Sequence, residues 1–108
     1  MLVCSEACDE VEKYLLAAGY WVVKVGDGQA AVSRAQRELF DVAVVVSTGK
    51  TMDLAETIFN LSDINSSMQI VIVADALGIN QRIIAEEIIS PCVPNTKVVT
   101  IQELETLF

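Results

Sequence analysis

Phe40-Asp41-Val42-Ala43-Val44-Val45-Val46 is the stretch that decides the fold. From Val42 on it is small or β-branched and apolar without interruption, as a strand buried on both faces of a parallel sheet requires. A strand with one wet face would alternate with polar residues instead. Outward from it, residues 70–74 read as a second buried strand. Between the two lie a loop over 47–51, a helix over 52–61 with Leu54, Ala55, Ile58 and Phe59 inward, and a polar surface loop over 62–67.

Upstream, Gly26-Asp27-Gly28 turns the chain into a helix over 29–39 with Ala31, Val32, Ala35 and Leu39 inward. Residues 20–25 read as a strand, and residues 9–18 as a helix carrying Val11, Tyr14, Leu15 and Ala18, stopped by Gly19. Residues 1–4 are a short apolar run. Downstream, residues 80–89 read as a helix with an Ile83, Ile84 and Ile88 stripe, and a fifth strand falls within 92–99. Pro91 and Pro94 place that strand at a sheet edge. Thr100-Ile101-Gln102-Glu103 matches a capping box and opens a terminal helix.

Strands alternating with helices predict an α/β fold, a parallel sheet with two helices on one face and three on the other. Right-handed crossovers in so short a chain favour the flavodoxin-like strand order 2-1-3-4-5. Val42, Val44, Val46, Ile70 and Ile72 are the expected core. Function in such sheets gathers beyond the carboxyl ends of the strands, here at loops starting from Ser5, Ser47, Asp75 and Lys97.

Composition narrows the class. The 108 residues are 53% hydrophobic and 20% charged, which fits one globular domain rather than a disordered chain. Its net charge of −8 repels phosphate backbones, so neither nucleic acid nor an acidic membrane is an expected partner. No apolar run approaches the roughly 20 residues of a membrane span. Glu6, Asp9, Glu10 and Glu12 early in the chain do not suit a signal peptide, so a cytoplasmic location is expected. The chain has no histidine, which removes His-based catalysis and His-ligated metals. Cys4, Cys8 and Cys92 read as reduced, buried thiols rather than a zinc site, which would want a fourth ligand. No cofactor and no metal is expected, and the chain is not expected to be an enzyme.

Several segments, in this order and at these separations, carry a resemblance. They are Ala17-Ala18-Gly19-Tyr20, Gly26-Asp27-Gly28-Gln29-Ala30-Ala31-Val32, residues 40–45, Met52-Asp53-Leu54-Ala55-Glu56, residues 70–73, and Lys97 with Ile101-Gln102-Glu103-Leu104. Together they resemble the receiver domain of bacterial two-component response regulators over nearly the whole chain. The resemblance implies a phosphorelay fold in which an acidic pair holds Mg²⁺, an aspartate accepts a phosphoryl group, and a hydroxyl and a lysine contact it. Here the acidic pair falls on Ser5 and Glu6, the acceptor on Val46, the hydroxyl on Ala74 and the lysine on Lys97. Valine has no nucleophile, so the resemblance implies a degenerate receiver acting through phosphorylation-independent protein–protein interaction. Glu6 reads as a solvated loop acid or a weak metal ligand, and Lys97 as a phosphate contact or a solvated strand-end lysine.

The family's usual interaction face, mapped onto this chain, draws on Ile79, Gln81, Arg82, Glu86, Glu87, Lys97 and Glu103, with Ile79 and Ile89 as exposed anchors. The expected occupant is a protein partner, an attached output domain or a second copy. Two other readings compete. Ser47-Thr48-Gly49-Lys50-Thr51 after a strand looks like the end of a P-loop, with Asp75 in the Mg²⁺-holding position. However, the pattern's first glycine would fall at Val44, inside the strand. The other is a plain dimerisation module.

Overall fold

In the computed structural model, which describes residues 1–5, 8–49, 52–74 and 78–107, the run beginning at Val42 is the central strand β3 (Val42–Val45). It pairs in parallel with β1 (Leu2–Val3) on one side and β4 (Gln69–Val73) on the other. β2 (Lys24–Val25) and β5 (Thr96–Val99) complete a five-stranded, all-parallel sheet of order β2-β1-β3-β4-β5. This is the flavodoxin-like order, with β5 at an edge.

Alternation along the strands splits the core in two. Val3, Ala43, Val45, Ile70 and Ile72 face one side, against Ala31 and Ala35 of α2 (Gly28–Ala35), Leu54, Ile58 and Leu61 of α3 (Leu54–Ile64), and Ala85, Ile89 and Val93. Leu2, Val44, Val46, Val71 and Val73 face the other, against Val11 and Leu15 of α1 (Asp9–Ala17) and Leu104 of α6 (Ile101–Leu107). Among the described residues, three helical elements thus cover one face and two the other. Of the expected core residues only Val42 is half-buried rather than buried.

The helix ends are set by local chemistry. Gly19 takes φ +88°, and its N–H reaches the Leu16 carbonyl while that of Tyr20 reaches Leu15, the paired bonds of a Schellman stop. Asp27 and Asp53 accept from the Ala30 and Glu56 amides at 2.7 Å and cap α2 and α3. Thr100 and Glu103 exchange the two bonds of the capping box, at 3.1 and 3.3 Å.

Several expectations are corrected. The ladder of β2 covers only the end of the strand expected over 20–25, because Leu2 pairs with Lys24 and leaves residues 20–22 beyond the amino end of β1. α2 stops at Ala35, where Arg37 and Glu38 both donate to the Arg34 carbonyl. That tightened turn sends Leu39 into solvent, 89% exposed, and Phe40 packs on the core instead. α3 begins two residues later than expected and runs three further, to Ile64, into the stretch expected as a loop.

The largest departure follows β4. α4 (Ile79–Ile84) passes into a π-helical segment, Ala85–Ile89, and then α5 (Ser90–Cys92). The buried residues are Ala85, Ile89 and Val93, four apart, while Ile83 and Ile88 of the expected stripe are exposed. The Ser90 amide reaches back five residues to the Ala85 carbonyl. Pro91, which has no N–H to continue an α-helical ladder, follows directly, so the wider winding suits the sequence. Ile89, expected as an exposed anchor, is fully buried, and Cys92, expected to be buried, is exposed.

Candidate functional site

Val46 and Ala74 are the first residues beyond β3 and β4, and both are buried. They end neighbouring strands at the carboxyl edge, where the resemblance puts the phosphoacceptor and the hydroxyl, and the register sets Val46 one position past the Val45–Ile72 pair, level with Val73. The Val46 and Ser47 amides both donate to the Val3 carbonyl, at 2.8 and 3.2 Å, and hold the end of β3 against β1. The Val46 side chain packs in the same apolar cluster as Cys4, Cys8 and Val73.

Two features here escaped the sequence reading. The Ser5 and Ser47 hydroxyls meet at 2.5 Å across the β1 and β3 ends, a pairing 42 residues apart in sequence that no local pattern signals. The second is Thr100. The register sets Lys97 opposite Val71 and Val99 opposite Val73, so Lys97 is the second residue of β5, about 7 Å short of its carboxyl end. The loop at that end therefore starts at Thr100, not Lys97, and the Lys97 backbone lies level with Val71 rather than with Ala74.

Asp27 and Asp53, acids of the neighbouring loops, are engaged as helix caps. The Gly28 amide donates to the Thr48 carbonyl at 2.8 Å, stitching the loop after β3 to the start of α2. Glu6, Lys50, Thr51 and Asp75 lie outside the described residues. The Val44 amide donates to the Met1 carbonyl at 2.9 Å, so the position a P-loop's first glycine would occupy is committed to the ladder.

Cys4 and Cys8 are buried side by side under this edge, with Lys24 beside them. Burial first, and then the neighbouring Cys4 thiol, push the Cys8 thiol up to about 11, against the opposing pull of Lys24. Cys8 is therefore a protonated thiol at neutral pH, unsuited to nucleophilic attack. Among the described residues no three His, Cys, Asp or Glu side chains gather into a metal-binding group.

Of the expected interaction face, Ile79 is 81% exposed at the start of α4. Arg82 and Glu86 form an exposed ion pair at 3.3 Å, Lys97 is exposed on the edge strand, and Glu103 is exposed while capping α6. β5 lies at the sheet margin with the π-helical segment and α6 both packed on it, so these residues border one flank of the molecule. Ile83 and Ile88 add to the exposed apolar surface there.

A cleft of about 470 Å³ lies at the opposite, amino end of the sheet, between Trp21 and Leu39. No described helix is long and apolar enough to cross a membrane. No family model matches this chain, and no curated protein or solved structure matches it either.

Proposed function

We propose that the chain is a receiver-like signalling module that takes no phosphoryl group and acts by binding a protein partner through the flank formed by α4, β5 and α6. The observation that carries this reading is that Val46 and Ala74, the residues that follow the adjacent strands β3 and β4 at the carboxyl edge of a flavodoxin-like sheet, are both apolar and buried. Acyl-phosphate formation needs a carboxylate oxygen to attack phosphorus, a divalent cation to offset the accumulating negative charge, and donors for the phosphoryl oxygens. An isopropyl group at 46 and a methyl at 74 offer neither lone pair nor donor. The hydroxyls at Ser5, Ser47 and Thr100 are neutral, and Lys97 is set two residues back from the end of β5.

A domain of this kind has surface as its remaining means of action. Ile79, Ile83 and Ile88 supply apolar contact area, and the Arg82–Glu86 pair supplies a polar rim. Incubation with acetyl phosphate and Mg²⁺ followed by intact-mass measurement tests the chemistry, with an unchanged mass expected. A phosphoryl adduct on any carboxylate of the chain would overturn the reading.

A further inference from the structure

Leu39 and Trp21 are the two most exposed large apolar side chains among the described residues, at 89% and 90%, and both line the cleft at the amino end of the sheet. Tyr20 and Phe40 add aromatic surface, while Glu38 and Asp41 put two carboxylates at its margin. The Met1 amino group also lines it, donating to the Val42 carbonyl at 2.8 Å. Burial lowers its pKa against the opposing pull of Asp41. Arg34 contacts Glu38 at 2.6 Å, but that pair is exposed and of the weak, exchangeable kind.

Aromatic faces bordered by carboxylates attract organic cations, and tryptophan is the strongest of the aromatic partners. The net charge of −8 adds attraction for a basic segment and repulsion for a second copy of this chain or a polyanion. We propose that this cleft binds an arginine- or lysine-bearing segment of a protein partner, the cationic head between Trp21 and the carboxylates of Glu38 and Asp41, and an adjoining apolar residue on Leu39. The site lies at the other end of the sheet from Val46 and stands independently of the receiver reading.

Trp21 is the chain's only tryptophan, so its emission reports on this site directly. The full chain is titrated at low salt with a blocked Gly-Arg-Leu-Arg-Gly peptide, and in parallel with its glutamate and all-glycine counterparts. A saturable emission change with the arginine peptide alone is expected, with Kd on the order of 0.1–1 mM and weakening as salt is raised. Glu38→Gln with Asp41→Asn should raise Kd about tenfold, whereas Ile79→Ser, on the other flank, should leave it unchanged. Trp21→Ala, followed by amide chemical shifts in place of emission, should abolish binding. Absence of saturation, equal response to the glutamate peptide, or an unchanged Kd in the carboxylate variant would overturn the proposal. So would an emission change on concentrating the chain alone, which would assign the cleft to self-association. If the double variant fails to fold, the salt dependence and the glutamate peptide decide.

Discussion

A methyl group is all that separates Gly28 from alanine, yet the position has no room for one. An ideal Cβ there would run into the Thr57 hydroxyl oxygen and come within 3.3 Å of the Met52 Cβ. Thr57 is fully buried, and its hydroxyl donates to the Asp53 carbonyl at 2.7 Å, so it has no free direction in which to move. Gly28→Ala should therefore destabilise the fold by about 1–3 kcal/mol despite alanine's better helix propensity. Thermal or denaturant unfolding measures this, and the cost should fall by more than half when Gly28→Ala is made in a Thr57→Ala background. An equal cost in both backgrounds would mean that the backbone, not this contact, selects glycine. The Gly-Asp-Gly turn was legible in sequence because Asp27 caps its own helix. The contact with Thr57 was not, because it joins positions 29 apart.

Among the elements, those fixed by local rules were legible and those fixed by tertiary pairing were not. β3 and β4 announce themselves because two buried faces exclude polar residues along the whole run. α6 announces itself through a reciprocal hydrogen-bond pair encoded within four residues. Thr100→Ala should cost about 1 kcal/mol, with faster hydrogen exchange confined to the first turn of α6. Glu103→Gln keeps an acceptor for the Thr100 amide and should cost less. The helical run after β4 was misread because isoleucine occurs on both of its sides, so periodicity at 3.6 residues had no single answer. Its core contact follows a four-residue spacing through the π segment, which brings Ala85, Ile89 and Val93 inward and leaves Ile83 and Ile88 in water. At the site, Val46 and Ala74 followed from the strands that carry them. Lys97 did not, since the β4–β5 register, invisible to local pattern, decides which residue of 96–100 stands at the edge.

At the scale of the molecule, the two ends of the sheet invite different behaviour. A phosphodonor shifts a conformational equilibrium only by the difference in its contacts with the two states. With Val46 and Ala74 apolar and Lys97 two residues short of the strand end, the carboxyl edge offers no evident handle for such a difference. The flank lined by Ile79, Ile83 and the Arg82–Glu86 pair should then be presented in one dominant arrangement, whatever the phosphorylation conditions. Sedimentation velocity and amide exchange over residues 79–107 should be superimposable with and without Mg²⁺ and beryllofluoride, which mimics an acyl phosphate only where a carboxylate receives it. Ile79→Ser with Ile83→Ser should weaken any association through this flank by about tenfold or more, the scale set by losing apolar burial from two isoleucines. Lys97→Ala, on the same strand edge but without a phosphate to hold, should change it little. A beryllofluoride-dependent shift would place a carboxylate acceptor within reach of β3's end, with Glu6 and Asp75 the first positions to substitute. An association unmoved by the isoleucine changes would instead place the contact elsewhere, with the Trp21–Leu39 cleft the next surface to test.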